Sequence, residues 1–341
     1  MKVIPIRKSL WIILPILLIV LFLANISLGS VHIPVVDICR VLAGFDASES
    51  IWREIILDFR LTKALTCILA GAALSVGGLQ MQTLFRNPLA GPDVFGLSSG
   101  ASLAVSLVFM SSSVGITLFS TSGPWVVALA ASVGSGAVSI LILSIAGRVR
   151  DNVSLLIIGL MVGAGTSSIV SVLQYASRAE LQQSFLIWTF GNVGGLNWGE
   201  ITILGAISSG GCIVGLFFIK SMNVWLLGDN YAQSLGVNLK RSRLFIIIST
   251  SVLTGGVTAF CGPIAFVGLA VPHLTKIIVK TNDHKILIPA VMMVGASLML
   301  LCDMLAQLPG QGQVVPINAI TALVGAPVVI WVIMNGKKIS V

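Results

Sequence analysis

The sequence predicts an all-α integral membrane protein with about ten transmembrane helices, some of them broken. Three observations predict this class: 56% of the 341 residues are apolar, only 9% are charged, and the charged residues fall in short intervals between apolar runs. Because soluble domains carry about 25% charged residues, this composition excludes an ordinary soluble enzyme. A spanning helix needs about 20 apolar residues, so the chain has room for roughly ten in a single membrane domain covering residues 1–341.

Apolar runs bounded by charge, glycine or proline define the candidate helices. The first run is too long for a signal-peptide core, so it is predicted to be a spanning helix. The run 263–280 contains Pro263 and Pro272 and is expected to be broken, with its freed backbone groups covered by protein. In order, the candidate helices are 10–28, 62–82, 93–110, 124–146, 153–174, 200–219, 244–260, 263–280, 285–305 and 316–335.

The basic residues indicate the orientation of these spans. With the N-terminus placed inside, most of the 20 Lys and Arg residues fall on the cytoplasmic side, as the positive-inside rule requires. The net charge of +8 is therefore interpreted as a topology signal and not as a nucleic-acid surface. Both termini and the segment 220–243 are predicted to be cytoplasmic, and the segment 29–61 is predicted to lie outside.

The chain lacks the sequence motifs of nucleotide-binding, metal-binding and catalytic sites. No G-x-x-x-x-G-K-[ST] loop occurs, so the chain is not expected to bind ATP itself. The three histidines are far apart and the five cysteines are scattered, which predicts no metal site, no cofactor and no catalytic triad. The spans carry no ionisable residue at mid-depth, which argues against a proton-driven transporter. A sodium site built from backbone carbonyls stays open.

Small residues on the fifth candidate helix have two interpretations. They allow close packing of helices, and they could also line a wide, weakly polar translocation path. The candidate path residues are Gly159, Gly163, Gly165, Ser167, Ser168 and Ser171.

Five ordered motifs between about residues 60 and 330 resemble one known family. They lie at 71–82, 86–101, 227–237, 262–273 and 321–327, and together they resemble the FecCD/BtuC-like permeases, the type II ATP-binding cassette importers for iron-siderophores, haem and cobalamin. The motif positions that carry the resemblance most clearly are Arg86, Asn87, Pro88, Gly262, Pro263, Gly268, Pro272 and His273.

The resemblance implies an assembly and a location. It implies a second permease copy or paralogue, two cytoplasmic ATPase subunits that hold ATP and Mg, and a periplasmic or lipid-anchored substrate-binding protein, in the bacterial cytoplasmic membrane. It also implies an inverted repeat of helices 2–5 and 7–10. The implied function is inward translocation of a metal chelate: a ferric siderophore, haem or cobalamin. The alternative is an ATP-independent secondary transporter or channel, whereas an intramembrane enzyme lacks any nucleophile with its base.

The resemblance also assigns roles to two groups of residues. Arg60 and Lys63 match the positions where the family docks its binding protein, although Thr62 stands here in place of a common proline. An external arginine often found near the ninth helix is replaced by Gln307. The residues predicted to couple the permease to the ATPase are Gly228, Asp229, Ala232, Leu235, Gly236 and Val237.

Overall fold

The computed structural model describes residues 9–29, 31, 33–110, 124–146, 148–149, 152–308 and 314–335, and these residues form a helical protein without strands. The helices are α1 (Leu10–Ser27), α2 (Val35–Leu42), α3 (Ser50–Glu54), α4 (Thr62–Phe85), α5 (Leu97–Met110), α6 (Pro124–Ala146), α7 (Asn152–Tyr175), α8 (Ala179–Thr189), α9 (Trp198–Phe217), α10 (Ile219–Trp225), α11 (Asp229–Ser234), α12 (Leu239–Cys261), α13 (Val267–Val279), α14 (His284–Ala306) and α15 (Ile317–Asn335).

Seven of the helices described are long and apolar enough to cross a membrane. They are α1, α6, α7, α9, α12, α14 and the continuous helical stretch Ser50–Phe85, in which a π-helix at Ile55–Leu61 joins α3 to α4. Helices α5, α13 and α15 are shorter apolar helices. Each predicted run therefore corresponds to a helix, while the number of full spans is only approximately ten. The protein is a multi-pass membrane protein, and its fold class agrees with the prediction.

Two predicted helices begin later than expected. The run 93–110 begins its α-helix only at Leu97, because Pro92–Phe95 forms a 3-10 turn and Gly96 adopts a positive φ of 70°. The run 263–280 begins at Val267, because Gly262 and Phe266 both have positive φ and the chain between them is not helical. Two others begin earlier, since the helix predicted from 62 continues a stretch from Ser50 and the one predicted from 244 starts at Leu239. Additional short helices, α2, α3, α8, α10 and α11, occupy the intervals between the predicted spans.

The non-helical break between α12 and α13 is covered by protein, as a membrane requires. The carbonyl of Cys261 accepts from the amide of Asn192 at 2.8 Å. The amide of Ala265 donates to the side-chain oxygen of Asn318 at 3.0 Å. A β-carbon at Gly262 would lie 2.6 Å from the carbonyl oxygen of Trp188, so glycine is needed there for space as well as for its φ of 72°.

Helix α4 lies at the centre of the fold. Of the most apolar stretch of residues 50–85, 78% is buried, against 17% for α1 and for α7. It packs against α14 where Gly71 meets Gly295, and against α13 where Gly78 meets the carbonyl of Gly268, and at both crossings a β-carbon would collide with backbone. Pro272 has no N–H to donate to the carbonyl four residues earlier, which is that of Gly268. The carbonyl that contacts Gly78 is therefore the one that the proline leaves without its helical partner.

Candidate coupling surface and translocation face

The predicted coupling segment folds into two short helices, α10 and α11, joined by a turn. Met222 and Trp225 of α10 are fully buried and fix that helix to the membrane domain. Gly228 joins the two helices with a φ of 110°, a conformation that favours glycine. The indole of Trp225 donates to the carboxylate of Asp229 at 2.7 Å, which orients α11 on α10.

Asp229 also joins the coupling segment to the membrane helices. Its carboxylate accepts a hydrogen bond from the guanidinium of Arg86, the residue that ends α4 in a left-handed conformation with φ of 47°. Both side chains are about one-third exposed. An open pocket of about 600 Å³ lies beside this pair and is lined by Arg86, Leu227, Gly228, Asp229, Asn230, Tyr231 and Ser234.

An apolar row faces outward from the coupling segment. Leu227, Tyr231 and Leu235 follow one another at intervals of four residues, and their exposed fractions are 63%, 55% and 56%. Only Tyr231 lies inside α11: Leu227 precedes the Gly228 turn and Leu235 follows the helix, so the row is defined by its exposure and not by one helix face. Leu226 is exposed as well. Exposed apolar side chains gathered on one short segment favour contact with another protein.

The six predicted coupling residues do not share this surface equally. Gly228, Leu235 and Gly236 lie at or near it, and a β-carbon on either glycine would meet open space. Val237 is half-buried. Ala232 is fully buried, which corrects the prediction that it contacts a partner: it packs within its own chain. Tyr231 was not predicted, although its four-residue spacing from Leu227 and Leu235 could have revealed it.

The motif that begins at Arg86 fastens the end of α4 to α13. The side chain of Asn87 accepts from the amide of Leu89 at 2.9 Å and shapes the turn. Nε2 of His273 donates to the carbonyl of Pro88 at 2.7 Å. The side chain of Gln82, one turn earlier, donates to the carbonyl of Leu269 at 3.1 Å. These motif residues therefore serve a structural joint.

A second joint connects α10, α14 and α4. The side chain of Asn223 donates to the carboxylate of Asp283 at 2.7 Å, and its oxygen accepts from Nδ1 of His284 at 2.6 Å. Nε2 of His284 lies 2.8 Å from the hydroxyl of Thr83. Burial acts to raise the pKa of Asp283, but donation from the Lys285 amide and the Asn223 side chain outweighs it, so the pKa lies below its usual value. Sequence reasoning missed this joint.

The structure gives both predicted docking residues partners within the chain. Arg60 is only 5% exposed, and its guanidinium donates to the carbonyls of Ile26, Ser27 and Val31, where it closes the C-terminal end of α1. Those carbonyls lack partners within the helix, so an inward-pointing cation stabilises them. Arg60 is therefore not presented to a binding protein.

Lys63 is also directed inward. Its ammonium lies 3.1 Å from the carboxylate of Asp303, and the two side chains are 18% and 5% exposed. The same carboxylate accepts from Asn25 and from Gln307, both at 2.8 Å. The pair thus joins α4 and α14, and through Asn25 also α1, so the charge predicted to dock a partner is used within the chain.

The candidate path residues on α7 divide into two sets. Gly159 and Gly163 lie against Gly96 and let α7 approach the start of α5, which gives them a packing role. The remaining four face away from the chain and are exposed, and they are Gly165, Ser167, Ser168 and Ser171. The hydroxyls of Ser168 and Ser171 donate to carbonyls of their own helix, which leaves a weakly polar surface.

A family model and several known proteins match this chain. The model described as the FecCD transport family matches residues 17–335. The hemin transport system permease protein HmuU of Yersinia pestis is 32% identical over 329 residues, which cover 95% of this chain and 94% of that protein. The vitamin B12 import system permease protein BtuC of Klebsiella pneumoniae is 32% identical over 283 residues, 83% of each chain.

A solved structure matches the fold. It is an inward-facing conformation of a metal-chelate type ABC transporter, and its superposition gives a TM-score of 0.82 at 26% sequence identity. The match covers 97% of this chain and 99% of that one. The sequence and structure comparisons therefore agree on one family over nearly the whole chain.

Proposed function

The chain belongs to the FecCD transport family, and we propose that it is the permease subunit of an ATP-binding cassette importer that carries a metal chelate inward across the bacterial cytoplasmic membrane. The related permeases serve hemin and vitamin B12, two large metal chelates. For this chain, haem, cobalamin and ferric siderophores form the candidate substrate class.

The apolar row on the coupling segment is the observation that carries this proposal. A chain without a phosphate loop must receive the work of ATP hydrolysis through contact with another subunit. Leu227, Tyr231 and Leu235 offer that contact, and Trp225 and Asp229 connect it to the membrane domain. We therefore assign two cytoplasmic ATPase subunits as partners, with ATP and Mg bound to them and no cofactor bound to this chain.

The exposed face of α7 supports a second permease copy or a paralogue as partner. Gly165, Ser167, Ser168 and Ser171 present small, weakly polar groups that gain little from contact with lipid. If this face of α7 lies opposite a second subunit, it would form one wall of a neutral path. Such a path suits a bulky chelate, because it has few groups that bind tightly enough to retain it.

The remaining parts of the proposal concern orientation and the outer partner. We place both termini and the coupling segment in the cytoplasm on the basis of the basic residues. The terminal lysines and arginines on which this rests, Lys2, Arg7, Lys8, Lys337 and Lys338, lie outside the described residues. A periplasmic or lipid-anchored binding protein would deliver the chelate to the outer side.

Reconstitution tests the proposed function directly. The chain is co-purified with the ATPase encoded beside it, placed in lipid vesicles, and supplied with the binding protein and ATP. Uptake of haem, a ferric siderophore and cobalamin is then measured with ATP and with a non-hydrolysable analogue. ATP-dependent uptake of one chelate is the expected result. Uptake that proceeds equally without hydrolysis would instead support a secondary transporter or channel.

A further inference from the structure

His284 occupies a position between three helices. It is the first residue of α14, it is 1% exposed, and it lies between Asn223 of α10 and Thr83 in the last turn of α4. The side-chain nitrogen of Asn223 donates to the Asp283 carboxylate. This hydrogen bond directs the side-chain oxygen of Asn223 to His284. That oxygen accepts from both the backbone amide and Nδ1 of His284, at 2.9 and 2.6 Å.

The proton on Nδ1 determines the role of the other ring nitrogen. In the neutral imidazole, Nε2 is then an acceptor, and the Thr83 hydroxyl can donate to it across 2.8 Å. The alternative partner of the hydroxyl is the carbonyl of Leu79 in its own helix, at 2.9 Å. Thr83 is 2% exposed, so water does not compete for this hydrogen bond.

These hydrogen bonds form a series from the coupling segment to the central helix. Met222 and Trp225 make α10 a rigid part of the domain surface, and Asn223 stands between them in sequence. The last turn of α4 is thus held at two points: Thr83 reaches α10 through His284, and Arg86 reaches α11 through Asp229. A displacement of the two short helices must therefore act on the end of α4.

We propose that His284 is a positioning residue that transmits the displacement of the coupling segment to α4, through Asn223 on one side and Thr83 on the other. This inference rests on the proposed function, since it requires an ATPase that moves the segment. A residue with only a packing role would affect folding and membrane levels. A transmitting residue affects how much substrate is moved for each ATP hydrolysed.

Thr83→Val is the primary test, because valine keeps the shape of threonine and removes its hydroxyl. In the reconstituted importer, we expect the amount of chelate taken up per ATP hydrolysed to fall about 2- to 10-fold, the range that corresponds to one net hydrogen bond. Membrane level and ATPase co-purification should stay unchanged. Thr66→Val is the matched control: Thr66 is equally buried on the same helix, but its hydroxyl donates only to the carbonyl of Thr62 in α4 itself.

Two substitutions of His284 separate the two halves of the link. The amide nitrogen of asparagine takes the position of Nδ1, so His284→Asn keeps the bond to Asn223 and loses the one to Thr83. The side-chain amide of glutamine reaches the position of Nε2, where its oxygen can accept from the Thr83 hydroxyl, so His284→Gln keeps that bond and loses the one to Asn223. Each is expected to lower the uptake ratio, and adding Thr83→Val to His284→Asn should lower it no further.

Wild-type uptake ratios in both Thr83→Val and His284→Asn would overturn the inference, as would an equal loss in Thr66→Val. If Thr83→Val fails to reach the membrane, His284→Asn decides alone. Failure of the proposed function looks different, because the wild-type importer itself would then show no ATP-dependent uptake.

Discussion

Arg86 and Asp229 are 143 positions apart in the chain, and they form an ion pair at the C-terminal end of α4. One residue ends the most buried helix, and the other begins the exposed helix α11. The contact therefore places the coupling surface directly on the core of the membrane domain, with no flexible segment between them.

The apolar row predicts which residues bind the ATPase. Leu235→Arg should reduce ATPase co-purification and abolish transport, because a desolvated unpaired charge in the contact costs about 3 to 5 kcal/mol. The matched control is Gln233→Arg, an exposed position in α11 that lies off the row. Pull-down of the ATPase with the tagged permease measures the effect. Equal ATPase recovery in both variants at wild-type level would exclude the row as the contact.

Gly236 provides a second probe of the same surface. A β-carbon there meets open space, but φ is 81°, so any other residue adds backbone strain as well as bulk. Gly236→Arg should abolish transport and reduce ATPase binding, while membrane levels stay normal because no spanning helix changes. Gly236→Asn is the control for strain, since asparagine tolerates this conformation. Transport at the wild-type rate by Gly236→Arg with its ATPase bound would contradict the assignment.

The buried ion pair between Lys63 and Asp303 predicts a stability effect. Lys63→Met leaves the Asp303 carboxylate buried without its cation, and we expect about 3 kcal/mol of destabilisation. Adding Asp303→Asn removes the unpaired charge and should restore most of the loss. Thermal unfolding of the purified permease provides the measurement. Affinity for the binding protein, compared in correctly folded material, should change little, whereas a large fall there would restore Lys63 as a docking residue.

Two glycines in different surroundings are predicted to respond in opposite ways to alanine, one at the crossing of α4 and α13 and one on α9. Gly78→Ala drives a methyl group into the carbonyl of Gly268 and should destabilise the protein by about 1 to 3 kcal/mol. Gly210→Ala, in α9, places its methyl in open space and should stabilise the helix by up to about 1 kcal/mol. Unfolding temperatures of the two variants test this, and the prediction fails if both shift in the same direction.

The orientation of the chain in the membrane can be tested by labelling single cysteines from one side. In a Cys39→Ser background, Asp46→Cys in spheroplasts should react with a membrane-impermeant maleimide, and Lys240→Cys should react only after the membrane is opened. Both side chains are exposed, so access is decided by the side of the membrane. Strong labelling at position 240 without labelling at position 46 would invert the topology.

The sequence predicted the membrane helices because lipid imposes a simple rule on them: long apolar runs must pair their backbone groups internally. The same rule does not act on charges near helix ends. Arg60 and Lys63 read as external and available, yet their partners are the carbonyls of Ile26, Ser27 and Val31 in one case and Asp303 in the other. One partner, Asp303, is distant in sequence, and the others are backbone carbonyls, so no pattern of residues in the sequence reveals either kind of contact.

The coupling surface, too, was predictable from the sequence only in part. Its location followed from a resemblance and from the charge pattern, and the four-residue spacing of Leu227, Tyr231 and Leu235 was visible in the sequence. Ala232 could not be distinguished from an exposed small residue, because burial of a short helix depends on what lies beneath it. The packing role of Gly159 and Gly163 could not be assigned from the sequence for the same reason, since their contact with Gly96 depends on the packing of α7.

The cluster around Asp303 has a consequence for how the chain is made. Lys63 and Asn25 belong to helices that are synthesised early, while Asp303 is nearly 280 residues later than Asn25. During synthesis the ammonium of Lys63 therefore enters the bilayer without its carboxylate and must wait near the interface, which its long side chain allows. Helices α1 and α4 can be inserted in order but cannot complete their packing until α14 has been synthesised.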